Sequence, residues 1–133
     1  MMPSMPTEAK EAAKTLPSCP SSPNCVSSQA DDGDHFIAPF KIKGSPEDAF
    51  SALKNALTGQ SRTVITAESE NTLHAEATSL IFRFVDDVDA ILDADAGLIH
   101  IRSASRVGYS DLGVNRRRLE RLRSALRQAG VIE

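Results

Sequence analysis

The spacing of apolar positions changes twice along the chain, and the two changes divide it into a helix, a run of strands and a second helix. Between Pro46 and Gly59, Phe50, Leu53 and Leu57 recur at intervals of three and four, the stripe of an amphipathic α-helix. The flanks agree: Ser45 is an N-cap, Pro46 takes the first helical position, Asp48 completes an S-x-x-D capping box and Gly59 stops the helix. After Gly59 the period drops to two. SRTVITAE, NTLHAEAT, the long run LIFRFVDDVDAILD and GLIHIRSASR read as four strands separated by turns such as ESEN and ADAG. Connections this short join only antiparallel neighbours, because a parallel crossover needs a dozen residues or more. The helical period returns near Asn115, with Leu119, Leu122, Leu126 and Ala129 on one face and Gly130 at the end. Upstream, HFIAPFKIK reads as one more strand, which Pro39 pushes to a sheet edge or a bend.

The predicted order is therefore β-α-β-β-β-β-α. Each apolar face needs a cover, so the expected fold is a single two-layer α+β domain, an antiparallel sheet of about five strands with two helices on one face. Residues 35–130 form this domain. Residues 1–34, rich in Pro, Ser, Asp and small side chains, read as an irregular leader with a Cys loop, because they offer too little apolar area to offset the entropy of ordering.

Composition narrows the class. A chain of 133 residues with 41% apolar side chains supports one core and not two. No run approaches the roughly 18 apolar residues of a membrane span, and the first sixteen residues lack the apolar stretch of a secretory signal, so the expectation is a soluble, cytoplasmic chain. The net charge of −3 lacks the basic field expected of a nucleic-acid binder. That average hides a segregation: residues 1–99 hold 7 Lys/Arg against 15 Asp/Glu, and residues 100–133 hold 8 against 3. The basic last helix is expected to face acidic parts of the same domain or of another subunit.

The candidate chemistry lies where the last strand enters the last helix. Alternation puts His100, Arg102, Ala104 and Arg106 on one face and Ile99, Ile101, Ser103 and Ser105 on the other. The two arginines stand up to about 13 Å apart along the strand, suited to adjacent groups of a larger anion or to pairing with carboxylates next door. The neighbouring strand supplies those carboxylates, but Asp86 and Asp87 point to opposite faces, so they are no proton-sharing dyad, and one of them can meet Arg102 or Arg106 across the strands. In VGYSDLGVN, Gly108 and Gly113 allow positive φ or close approach, Ser110 and Asp111 can bond their own turn, and Asn115 can cap the helix. An anion at that helix N-terminus would find Tyr109, Arg116 and Arg117 beside it, although Asp111 can fill the same position as a built-in anion.

Other constellations are thinner. Five residues separate Cys19 from Cys25, a loop that a disulfide can close in an oxidising setting and that would stay as two thiols in a reducing one. His35, His74 and His100 are scattered and give no close ligand spacing, so no metal site and no cofactor is read. G-x-S-x-G, G-x-G-x-x-G and G-x-x-x-x-G-K-[ST] are all missing, and no catalytic residue is assigned.

The runs CPSSPNCVSS, HFIAPF, RFVDDVDAILD and IRSASRVGYSDLGVNRRRLERLR together resemble an uncharacterised bacterial and plastid family, domain of unknown function 1499, over roughly residues 16–128. The resemblance implies that Asn24, Cys25, Asp86, Asp87, Arg102, Ser103, Ser105, Arg106, Gly108, Ser110, Asp111, Gly113, Asn115 and Arg116 belong to the family motif. It implies no activity. Many members look exported, lipid-anchored or fused to membrane helices, so it offers an envelope or plastid-associated location as the alternative to the cytoplasm.

Three functions fit these residues. The leading one is a non-enzymatic binding module for an anionic or polar small ligand, or for a polar segment of a partner protein. It would use Arg102, Ser103, Ser105, Arg106, Tyr109, Ser110, Asp111, Asn115 and Arg116. The second is a hydrolase- or lyase-type enzyme with Asp86 or Asp87 as general base. The third is structural, a latch in which Asn24 and the Cys loop dock onto the Arg and Asp cluster.

Overall fold

The protein's structure is a computed structural model that describes residues 15–81, 83–107 and 113–133. Its elements are β1 (Cys25–Ser27), β2 (Phe40–Lys41), α1 (Pro46–Thr58), β3 (Thr63–Glu68), β4 (Thr72–Thr78), β5 (Val85–Asp93), β6 (Leu98–Ser105) and α2 (Val114–Gln128). The strands form one antiparallel sheet in the order β1-β6-β5-β4-β3, and β2 also pairs with β6. The expected α+β fold is present, with six strands rather than five.

The period-2 pattern decides which face is covered. Leu73, Ala75, Val88, Ala90, Ile99 and Ile101 meet Phe50, Leu53 and Leu57 of α1 and Leu119, Leu122 and Leu126 of α2 in one buried cluster. At the start of α1, Ser45 Oγ accepts from the Asp48 N–H at 3.2 Å, as the capping box predicts.

Three expectations change. HFIAPFKIK is not one continuous strand: only Phe40 and Lys41 join the ladder, with isolated bridges at Phe36 and Ile42. Pro39 has no N–H to donate, and the far half of the outer edge of β6 is already taken by β1.

That strand β1 is the second change, because it lies within the leader expected to be irregular. Cys25 pairs with Ala104, Val26 with Ser103 and Ser27 with Arg102. Polar composition did not prevent docking here, since the polar groups are satisfied by the sheet itself. The Ser28 N–H donates to the Ile101 carbonyl at 2.9 Å, and Ser28 Oγ accepts from the Ile101 N–H at 2.9 Å. Cys19 and Cys25 form a disulfide, Cα–Cα 5.6 Å, that ties the preceding loop to β1.

Third, Asn115 does not cap the last helix. Gly113, at φ 81°, is the N-cap, and Asn115 lies inside the first turn with no exposed surface. A left-handed Gly at the cap frees the following Asn to turn into the core. At the other end Gly130 has φ 77°, as its predicted place just past the helix requires.

Candidate functional site

The ladder register sorts the polar residues onto two faces of the sheet. Asp86 pairs with Ser105 and Asp87 with Ala104. Asp86, Ser103 and Ser105 therefore turn toward the helices, whereas Asp87, Arg102 and Arg106 turn to the opposite face, which is open at Arg106 and covered by the leader at Arg102.

On the helix side these groups build a buried network around Arg118. Its Nη2 lies 2.9 Å from Asp86 Oδ2, and its Nη1 donates to Ser103 Oγ at 3.1 Å and Asn115 Oδ1 at 2.8 Å. Ser103 Oγ donates to Asn115 Oδ1 at 2.6 Å, and Asn115 Nδ2 donates to Ser105 Oγ at 3.0 Å and to the Asn24 carbonyl at 3.3 Å. Asn24 closes the network by donating from Nδ2 to the Ser105 carbonyl at 2.9 Å. Asn24, Asp86, Ser103, Asn115 and Arg118 are all buried. Their hydrogen bonds are what make burial tolerable, since an isolated charge there would cost several kcal/mol. Arg118 was not among the sequence candidates. The signal was present, because in RRRLERLR it falls on the apolar stripe between Asn115 and Leu122.

The open face carries the anticipated cross-strand Asp–Arg pair. Arg106 grips Asp87 bidentately, Nε to Oδ2 at 2.9 Å and Nη2 to Oδ1 at 2.8 Å, and reaches Glu76 Oε2 at 2.9 Å. The Arg106 hydrogen bonds, reinforced by its charge and that of His74, hold the Asp87 carboxyl below its ordinary range. The same bonds to Asp87 and Glu76 raise the Arg106 pKa. Arg102 donates to the Ser18 carbonyl at 3.2 Å, and its Nη1 lies 3.8 Å from Asp89 Oδ2. His74 stands between two carboxylates, Nδ1 at 2.6 Å from Asp89 Oδ1 and Nε2 at 3.3 Å from Asp87 Oδ1. Sequence spacing missed this grouping, because it arises from the β4–β5 register that sets His74 opposite Asp89 and Glu76 opposite Asp87.

The remaining candidates separate. Arg116 Nη2 donates to the Asp34 carbonyl at 3.2 Å, tying the last helix to the leader. Gly108, Tyr109, Ser110 and Asp111 lie outside the described residues. The basic helix meets an acidic group from the other part of the domain, as charge segregation suggested, where Arg118 pairs with Asp86, whereas the Arg123–Glu120 pair at 2.9 Å lies within the helix itself.

Beside the buried network opens a cleft of about 720 Å³ between the end of α1, the adjoining ends of β3 and β4, and α2. Asp86 and Arg118 line it with Leu80, Val114 and Leu122, and Arg62 and Arg121 add two more guanidinium groups. Arg62 occupies a left-handed conformation, φ 51°, with its Nε donating to the Thr78 carbonyl at 3.0 Å. A second cleft, about 640 Å³, lies at the opposite end of the domain over Phe50, Leu73 and Leu92, and none of the candidate site residues lines it.

The model of a family described as "Protein of unknown function (DUF1499)" matches residues 15–126. The chain belongs to this family. The DUF1499 match takes in the docked leader with its disulfide as well as the sheet and most of α2, so β1 and Asn24 lie inside the family unit. Comparisons with curated proteins and with solved structures give no match. Among the described residues of this DUF1499 chain, no helix is long and apolar enough to cross a membrane.

Proposed function

We propose that this DUF1499 domain is a non-enzymatic binding module, and that its ligand is an anion with an apolar portion held in the cleft over the Asp86–Arg118 pair. The observation that carries the reading is the cleft's charge balance. Arg62, Arg118 and Arg121 line it against the single carboxylate of Asp86, which is already engaged by Arg118. Arg121 is exposed and has no hydrogen-bond or ion-pair partner among the described residues. Guanidinium forks suit phosphate or carboxylate groups, and Leu80, Val114 and Leu122 supply apolar wall for the rest of the ligand. Arg118 is held by Asp86, Ser103 and Asn115 and forms a fixed wall of the cleft, which leaves Arg62 and Arg121 to bind the anion.

This reading moves the ligand from the open face to the helix side. Arg106, the expected anchor, is saturated by Asp87 and Glu76, and Arg102 points to the same face. The general-base alternative loses support for a related reason: both carboxylates are paired, and the Asp87 pKa is shifted down, away from that of a base working near neutrality. The latch reading keeps its own observation. Asn24, 81 residues from Ser105 in sequence, binds the Ser105 carbonyl and joins the Asn115 network, so latch and cleft coexist as wall and cavity.

Thermal unfolding with inorganic phosphate, short-chain alkyl phosphates and carboxylates tests the proposal. At about 100 times its dissociation constant a ligand adds about 2.7 kcal/mol to the folded state. A stabilising anion whose effect is lost in Arg121→Ala supports the cleft. Stabilisation that survives both Arg121→Ala and Arg62→Ala, or none across the panel, contradicts it.

A further inference from the structure

The open face holds a second constellation, independent of the cleft: His74, Glu76 and Asp87. One ligand atom from each lies within 4.8 Å of the others, and all three are half-buried, accessible from solvent without being fully surrounded by it. We propose that these three side chains form a site for one divalent transition-metal ion of the zinc type.

Carboxylates in proximity would not carry this. The orientation of the imidazole does. His74 Nδ1 is 2.6 Å from Asp89 Oδ1, a hydrogen bond in which the ring nitrogen donates. With Nδ1 held this way, the ring turns Nε2 toward Asp87 Oδ1, 3.3 Å away, so a ring nitrogen and a carboxylate oxygen converge on one point. A metal ion at that point would be held by both. Two ligands at about 2.0–2.1 Å from a tetrahedral zinc ion stand about 3.3–3.4 Å apart, the spacing already present between Nε2 and Oδ1. Asp89 then acts as the outer carboxylate that orients a metal-bound histidine. Glu76, opposite Asp87 in the ladder, supplies the third ligand, and water the fourth. One imidazole with two carboxylates suits zinc, cobalt or nickel better than calcium or magnesium.

Arg106 is the competing cation. Its Nη2 bridges Glu76 Oε2 and Asp87 Oδ1, the oxygens the ion would take, while its Nε holds the other oxygen, Asp87 Oδ2. Metal entry displaces the Nη2 contacts and can leave the Nε contact in place. The site is thus one in which an arginine and a metal ion exchange over the same carboxylates.

The experiment is calorimetric titration of the full chain with Zn²⁺, paired with Co²⁺ absorption and ¹⁵N NMR of the histidine rings. The expected result is one ion per chain, a tetrahedral Co²⁺ spectrum and a large Zn²⁺-induced shift of His74 Nε2. His74→Gln should abolish binding, Asp89→Asn should weaken it about 10–100-fold, and Arg106→Ala should tighten it on the order of tenfold by removing the competing charge. No binding by the wild type, binding unchanged in His74→Gln, or weaker binding in Arg106→Ala would each overturn the proposal. If His74→Gln fails to fold, the wild-type ring shift decides: a Zn²⁺-induced shift confined to His35 or His100 also overturns it.

Discussion

Replacing Arg118 with alanine strands a largely buried Asp86, and the consequence can be sized from the structure. Arg118 is 9% and Asp86 8% exposed, so once the partner is gone solvent reaches the carboxylate only from the cleft side. Loss of one partner of a buried pair costs about 3–5 kcal/mol, and Ser103 and Asn115 lose a charged donor besides. For a domain of this length that cost corresponds to a fall in Tm of about 10–20 °C, readable by calorimetry or urea unfolding. Asp86→Ala should be similarly costly, because it leaves the guanidinium unpaired. The double replacement Asp86→Leu with Arg118→Met should be milder than either single change, since apolar groups of similar size need no partner. An Arg118→Ala protein within about 1 kcal/mol of the wild type would refute the claim that the pair is buried and shared with Ser103 and Asn115.

Other consequences follow from single contacts. Asn24→Ala should cost about 1–3 kcal/mol by removing the side-chain amide that donates to the Ser105 carbonyl and accepts from the Ser22 hydroxyl, and reducing the Cys19–Cys25 disulfide should cost about 2 kcal/mol; equilibrium unfolding measures both. The His35 pKa is raised, first by the Ser22 carbonyl at 2.8 Å and then by Asp32 at 2.6 Å. The stabilisation it contributes is therefore complete below about pH 6.5 and lost as pH rises through the higher folded value, so unfolding of wild type should weaken over that interval while His35→Gln stays flat. Gly113→Ala places a side chain at φ 81° with its Cβ 2.7 Å from Arg117 Nη1, and calorimetry should register a loss of about 1–2 kcal/mol.

What could be read from the sequence was whatever rests on local periodicity. The two helices, the strands β3 to β6 and the facing of Asp86 against Asp87 all follow from spacings of two or 3.6 residues. That one of these aspartates would meet Arg102 or Arg106 also followed, since it needs only adjacent strands; the register decides that the pair is Arg106 with Asp87. Features set by distant pairing did not. β1 is held by hydrogen bonds to β6 almost eighty residues away, so its Ser- and Asn-rich composition read as an unstructured leader. His74 meets Asp87 and Asp89 only once the β4–β5 register is known, and Arg106 reaches Glu76 across an intervening strand. Asn115 read as a cap because asparagine favours caps, but the left-handed Gly113 took that role and left Asn115 to the buried network. The cleft could not be foreseen either, because Arg62 and Arg121 lie 59 residues apart and meet only through packing.

The most direct measurement is an ¹⁵N NMR titration of the wild-type chain with a short-chain alkyl phosphate. Binding in the cleft predicts saturable shifts centred on Arg62, Thr78, Val114, Arg121 and Leu122, with the Arg118 side chain moving and Arg102 and Arg106 silent. Shifts centred on Arg102 and Arg106, or none at all, would contradict the account and return the search to the open face of the sheet.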